Sequence, residues 1–442
     1  MWMIMKKSVY ISDYESENGK YYIMQMASGN IVAVDAIKKV QLQQILNFPN
    51  DYRGSVACNK LIDFGFIVPD HVNEYQIITG KHLLRHFCKN NYLELTIMPT
   101  EKCNFRCIYC YENFVKPEMT EETMNAIVRY VKKNITNHKG LIVSWFGGEP
   151  LLSLNVINKL SEEFIEICRK NHKIYAASMT TNGYLLDTET FGRLRKLHVN
   201  HFQITIDGSK ETHDEQRILA GGGGTFDKII CNIRNICDSR KDNLWTISIR
   251  TNVTINTIRN IDSFKKEIIN QFNDDTRIYI MLRKMWTNNT DDANALLCSD
   301  QEFERFVNDC EISETSLYQE YIFSHDMNFI CYASNPNAYV IGSDGKIYKC
   351  TYALYDNVNH VGQLDKSGEM HLDQEKLSFW IAPRATNQAE CITCANYATC
   401  VSNGCPYHQN EPCQSRTLEI LKYYIPQFFK LAQKAEDLSE YL

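Results

Sequence analysis

The chain has 442 residues, 44% hydrophobic and 23% charged, enough to bury the cores of two or three domains. A formal net charge of −6 excludes a broad basic nucleic-acid footprint, and no apolar run is long enough to cross a bilayer. Met1–Met5 is apolar but too short for a secretory signal, and Lys6 and Lys7 follow it instead of preceding it, so a cytoplasmic protein is expected.

Residues 1–85 read as a small α+β domain. Lys20–Met26 and Asn30–Asp35 are strand-like, with Ser28 and Gly29 as the turn between them. Helices are expected over Ala36–Leu46 and Gly54–Leu61, and Tyr75–Ile78 reads as a last strand or a linker.

Residues 86–324 repeat one rhythm six times, a short apolar strand followed by an amphipathic helix. The expected strands are Leu93–Met98, Leu141–Phe146, Ile174–Thr180, His201–Ile206, Trp245–Val253 and Ile278–Leu282. In the first helix Met124, Ile127, Val128 and Val131 share a face, and Thr120 is its cap. Strand–helix alternation implies parallel pairing, with the functional site at the C-terminal ends of the strands. Six units make an α/β fold, an incomplete barrel and not a closed one of eight.

Residues 325–442 are loop-rich and cysteine-rich. Ala338–Cys350 reads as a hairpin turning at Asp344 and Gly345, and a final helix is expected from about Leu418. Gly221–Gly224 lacks the lysine of a phosphate loop and reads as a connector.

Cysteine is the anomaly: there are 17, three of them between 103 and 110 and five between 391 and 413. In a reducing compartment such clusters bind metal more often than they form disulfides. Cys103, Cys107 and Cys110 have the spacing C-x3-C-x2-C directly after the first strand. Three thiolates can hold three irons of a [4Fe–4S] cube, leaving the fourth iron for the amino and carboxylate groups of S-adenosyl-L-methionine. A zinc site is the competing reading, but it wants a fourth ligand nearby, and the next cysteine is Cys168.

The run Cys103-Asn104-Phe105-Arg106-Cys107-Ile108-Tyr109-Cys110, with Gly147-Gly148-Glu149-Pro150 after the second strand, resembles the radical SAM superfamily. The resemblance implies that Cys103, Cys107 and Cys110 carry the catalytic cluster and that Tyr109 lies beside the adenine. It also implies that Gly147, Gly148, Glu149 and Pro150 bind the methionine amino end, and that Thr205 and Arg217 contact its carboxylate. The spaced cysteines Cys331, Cys350, Cys391, Cys394, Cys400, Cys405 and Cys413 resemble the SPASM extension, which binds two auxiliary [4Fe–4S] clusters. By that resemblance Cys331, Cys350 and Cys405 hold the inner auxiliary cluster, and Cys391, Cys394, Cys400 and Cys413 the outer one. Four residues separate Cys400 from Cys405 where the family has three. No fourth cysteine falls between 331 and 350, so the inner cluster has either an open iron or a ligand from elsewhere, such as Cys310.

The expected architecture is therefore a partial (β/α)6 radical SAM barrel with an N-terminal winged-helix-like α+β domain and a C-terminal Cys-rich SPASM domain. Residues 1–85 resemble, in the order of their elements, the leader-peptide recognition element of peptide-modifying enzymes. The resemblance implies an oxidoreductase that installs a thioether or carbon–carbon crosslink in a ribosomally synthesised precursor peptide (RiPP maturation) through a 5′-deoxyadenosyl radical. Its cofactors would be three [4Fe–4S] clusters and S-adenosyl-L-methionine. Its partners would be the precursor peptide and an electron donor such as flavodoxin or ferredoxin, with no nucleic acid and no membrane. One alternative is an anaerobic sulfatase-maturing enzyme that generates formylglycine; Thr351 stands where such relatives place an Asp base. A non-enzymatic iron–sulfur electron carrier is the alternative of another class, and a carrier needs no cofactor-binding shell.

Overall fold

Aromatic and β-branched residues crowd Lys20–Gln25 and Ile31–Asp35, and Gly29 takes the positive φ that the turn between them requires. The computed structural model describes residues 3–17, 19–84, 91–285, 295–325, 331–382, 392–399 and 424–442. They divide into two compact units, one of Met1–Lys89, Leu317–Cys331 and Pro383–Leu442, the other of Asn90–Ser316 and Tyr332–Ala382. The cysteine-rich third segment of the sequence is thus shared between the two.

In the first unit, strands β1 (Met5–Lys7), β2 (Ile11–Glu15), β3 (Lys20–Gln25) and β4 (Ile31–Asp35) lead to helices α1 (Lys39–Asn47) and α2 (Val56–Asp63). Strand β5 (Ile67–Pro69) and helix α3 (Glu74–Leu84) follow. Strands β2, β3 and β4 form an antiparallel meander, and β1 pairs antiparallel with β5. Tyr21, Ile23, Val32 and Val34 on one face of the meander pack on Leu42, Leu46 and Leu61 of the helices.

Tyr75–Ile78 is helical, not a strand or linker. Asn73 Oδ1 accepts from Gln76 N at 3.0 Å, Glu74 opens the first turn, and Lys81 and His82 close the last. The spacing Tyr75, Ile78, His82 makes one face, and Tyr75 and His82 both meet the Tyr397 ring at 5.1 Å between centroids. That partner lies more than three hundred residues away, so the local pattern did not show it.

In the second unit, β6 (Tyr92–Ile97) is followed by a short strand β7 (Phe105–Cys107) and helix α4 (Glu121–Asn134). Next come β8 (Gly140–Trp145), α5 (Leu154–Lys170), β9 (Ile174–Thr181), α6 (Thr188–Lys196) and β10 (Val199–Thr205). Helix α7 (Lys210–Gln216), β11 (Arg217–Leu219), α8 (Phe226–Ser239), β12 (Thr246–Val253) and β13 (Ile278–Lys284) complete the repeat. The six expected strands are all present, adjacent in the order β13-β12-β10-β9-β8-β6 and parallel throughout. Leu93, Leu95 and Ile97 alternate inward on β6 as period-two patterning demands. Thr120 caps α4 by accepting from Thr123 N at 3.2 Å, and Met124, Ile127 and Val131 are buried beneath it.

The expected hairpin forms from β14 (Ala338–Ile341) and β15 (Lys346–Tyr348), with Gly345 at positive φ. It does not stand apart: β14 lies parallel to β6, so β15, β16 (His360–Leu364) and β17 (Met370–Leu372) prolong the barrel sheet to ten strands. The start of the final helix expected from about Leu418 lies outside the described residues; within them α-helix runs over Ile425–Phe428, and β18 (Ala435–Asp437) then pairs in parallel with β4. Among the described residues no helix is long and apolar enough to cross a membrane.

Candidate active site

The strand ends of β6, β8, β9, β10 and β12 converge on the loop that carries the first three cysteines. Two backbone devices shape that loop. Strand β7 pairs antiparallel with β11, setting Cys107 opposite Arg217, and Ala220 N donates to Asn104 O at 2.8 Å. Cys110 N then donates to Cys107 O at 3.1 Å, turning the third cysteine back toward the second. Burial pushes the Cys103 thiol up to about 12 and the Cys110 thiol up to about 11, and the neighbouring thiols add to both. Among the described residues no three His, Cys, Asp or Glu side chains close on a single metal ion. A cube does not ask for that, since its three thiolates bind three different irons.

Gly147 and Gly148 allow a close backbone approach. A Cβ on Gly147 would lie 2.3 Å from Thr100 O, and one on Gly148 would lie 2.4 Å from Glu101 O and 2.5 Å from Lys102 O. The end of β8 therefore presses against the residues that launch Cys103. Pro150 opens the one-turn helix Pro150–Ser153, where its missing N–H costs nothing.

Glu149 is wholly buried, and its carboxylate is already held by three donors. Oε1 accepts from Thr181 Oγ1 at 2.7 Å and Leu151 N at 3.0 Å, and Oε2 accepts from Asn182 N at 2.7 Å. A carboxylate has about four acceptor sites, which leaves room for one ammonium donor. Asn182 Nδ2 in turn donates to Asn104 Oδ1 at 2.8 Å, tying the end of β9 to the cysteine loop.

Tyr109 and Arg217 meet over a buried acid. The Tyr109 hydroxyl donates to Asp207 Oδ2, Arg217 Nη1 donates to the same hydroxyl at 2.6 Å, and Arg217 stands 3.7 Å from Asp207. Asn252 N donates to Asp207 Oδ1 at 2.9 Å. Burial pushes the Asp207 carboxyl up while the Arg217 charge pulls it down. Arg217 Nε is buried with no partner in the structure. Thr205 is half-buried at the last position of β10. An orphaned guanidinium N–H and a carboxylate with one acceptor site left suit the two charged ends of an amino acid, so these residues fit the methionine part of S-adenosylmethionine.

Asp207, Asn182 and Asn252 had no assigned role in the sequence. Their signal was position alone, since each stands at or just beyond the C-terminal end of a parallel strand.

Of the cysteines expected to hold auxiliary clusters, Cys331 and Cys394 belong to the first unit and Cys350 to the second, all three half-buried. Asn359 brackets Cys350, accepting from its N–H at 2.8 Å and donating to its carbonyl at 2.7 Å. Cys391, Cys400, Cys405 and Cys413 lie outside the described residues. Cys310 is wholly buried at the end of helix Asp300–Cys310, among Phe303, Phe306 and Val307.

Residues 97–268 match the family model described as the Radical SAM superfamily, and these are the residues that build this site. Over that stretch the chain resembles the radical SAM superfamily, which implies a [4Fe–4S] cluster and S-adenosylmethionine. It is 25% identical over 341 residues to a cysteine-type anaerobic sulfatase-maturating enzyme of Clostridium novyi (strain NT), covering 71% of this chain and 87% of that protein. It is 22% identical over 237 residues to the radical SAM cyclopropyl synthase TigE of Paramaledivibacter caminithermalis, covering 47% of this chain and 49% of that protein. The fold resembles native anSMEcpe with bound AdoMet and Kp18Cys peptide, with a TM-score of 0.58 at 20% identity over 77% of this chain and 99% of that one.

Proposed function

We propose that this enzyme is a peptide maturase, installing a thioether or carbon–carbon crosslink in a ribosomally made precursor whose leader docks on the N-terminal unit. With cluster and S-adenosylmethionine bound, the site supplies a 5′-deoxyadenosyl radical that takes a hydrogen atom from a strong C–H bond. The chain's own part is positioning. The β7–β11 ribbon holds the cysteine loop, Glu149 and Arg217 orient the two charged ends of methionine, and Tyr109 is fixed by Asp207 and Arg217. Cys103, Cys107 and Cys110 are the ligands assigned to the catalytic cluster. The seven cysteines from Cys331 to Cys413 are assigned to two auxiliary ones.

The observation that carries the reading is the first unit itself. An α+β body with its own core is built from the residues before the radical SAM match together with Leu317–Cys331 and Pro383–Leu442, and its sheet ends in strand edges of the kind that take up extended peptides. The second reading, formylglycine formation on a sulfatase, is favoured by the similarity to the Clostridium novyi protein. Thr351 weighs against it: it offers no carboxylate, and its hydroxyl is hydrogen-bonded to Tyr332 OH at 2.7 Å.

The test is co-expression with short open reading frames from the gene neighbourhood, each with and without its leader. The account expects a product lighter by two hydrogen atoms, formed only when the leader is attached. Formylglycine on a sulfatase peptide, with no leader-dependent product, would transfer the assignment to the second reading.

A further inference from the structure

The meander of the first unit has two edges, and one is already taken by the chain itself. Strand β18 pairs in parallel with β4, with Ala435 opposite Ile31, Glu436 opposite Val32 and Asp437 opposite Ala33. Ile31 N donates to Lys434 O at 2.9 Å, and Leu438 N donates to Ala33 O at 2.8 Å.

Its hold has four parts. Lys60 Nζ on α2 grips both oxygens of Glu436, at 2.5 and 2.8 Å. Lys20 on β3 pairs with Asp437 and also with Asp35. Leu438 is wholly buried in the cluster that contains Val32, Val34, Leu42 and Leu61. Asp35 N and Lys38 Nζ fasten Ser439 just beyond, at 2.8 Å to its Oγ and 2.6 Å to its carbonyl.

This is a weak way to close an edge. The strand is three residues long and partly exposed, and its ion pairs face water on both partners. Parallel pairing is slightly poorer per residue than antiparallel pairing. Strand β4 offers five residues, of which β18 uses three. An extended peptide running antiparallel along all five, with acids for Lys60 and Lys20 and a leucine for the buried cluster, gains more than the tethered strand does.

We propose that the outer edge of β4 is the docking strand for the substrate's leader, that residues 434–438 occupy it as a tethered competitor, and that the leader is acidic there, with a leucine followed by two carboxylates in its antiparallel direction. The proposal rests on the leader-binding reading of the first unit. The tethered segment keeps the edge covered, as exposed edges invite aggregation, until a leader displaces it.

The experiment uses the full chain, anaerobically reconstituted, and a fluorescent peptide copying residues 432–442. The Glu436→Lys/Asp437→Lys chain, whose own strand is released, is expected to bind the peptide at least tenfold more tightly than the unaltered chain. A peptide carrying the same two lysines is expected to bind neither. Both chains are expected to make equal 5′-deoxyadenosine, since neither acid lies in the catalytic machinery. Hydrogen exchange provides a measurement without substitution: excess unlabelled peptide should raise the exchange of the chain's own amides at 435–437. Equal binding by the two chains, no binding by the double variant, or unchanged exchange at 435–437 overturns the proposal. Displacement without leader-dependent modification would keep the docking edge and remove the maturase reading. Leader-dependent modification with residues 435–437 undisturbed would do the reverse.

Discussion

Arg217 stands directly opposite Cys107 on the β7–β11 ribbon, with its guanidinium donating to the Tyr109 hydroxyl at 2.6 Å. One side chain thus joins the cysteine loop to the network around Asp207. Arg217→Ala should leave iron content unchanged and weaken S-adenosylmethionine binding about tenfold to a hundredfold, the range for a lost charge-assisted hydrogen bond. Equilibrium dialysis beside an iron assay checks both; unchanged affinity removes Arg217 from the cofactor site.

Glu149 tests the same site from the other end. Glu149→Gln sets an amide N–H₂ against one of the donors that now point at the carboxylate, Asn182 N or the pair Leu151 N and Thr181 Oγ1. A buried donor left without an acceptor costs about 1–3 kcal/mol. The variant should therefore unfold at lower denaturant and bind S-adenosylmethionine more weakly. Full stability would mean that the carboxylate does not brace the end of β9.

Gly148→Ala should be worse than a surface glycine substitution such as Gly221→Ala, where nothing lies within 4 Å of the added carbon. At 148 the methyl meets two carbonyl oxygens at 2.4 and 2.5 Å and must push Glu101 and Lys102 away. The expected result is loss of cluster retention in the 148 variant alone, read as iron per chain after desalting.

His213 gives a pH dependence. It is wholly buried, its Nδ1 accepts from Asp207 N at 3.2 Å, and burial, with Arg217 nearby, pulls it down to about 3 from its ordinary 6.5. The unfolded chain binds this proton more readily. Its stabilising effect is thus complete above the ordinary value and is lost as pH falls from 6.5 toward 3. The slope from one group is at most about 1.4 kcal/mol per pH unit. Denaturant midpoints at pH 7 and 5.5 should differ less in His213→Asn, which keeps an acceptor for Asp207 N; an equal difference would assign the pH dependence elsewhere.

The parallel sheet with its helices was legible in the sequence because its signal is local. Leu93, Leu95 and Ile97 alternate, and Met124, Ile127 and Val131 recur at helical spacing, whatever the rest of the chain does. The candidate cysteine loop was legible for the same reason, its three cysteines lying within eight residues. What stayed hidden depends on partners far along the chain. Tyr75–Ile78 is helical through Tyr397, β14 joins β6, and Ala435–Asp437 is a strand only because β4 is beside it. The Glu149 carboxylate was expected to meet the methionine ammonium, yet three of its acceptor sites hold the protein together. A motif names the residue types but does not count their hydrogen bonds.

The most direct measurement is 5′-deoxyadenosine formed by the reduced, reconstituted chain with S-adenosylmethionine, set beside the Cys103→Ala/Cys107→Ala/Cys110→Ala variant and read with total iron. The proposed assignment of ten cysteines to three cubes predicts about twelve irons in the unaltered chain and about eight in the variant. The account predicts 5′-deoxyadenosine from the first and none from the second; equal yields from the two would contradict it.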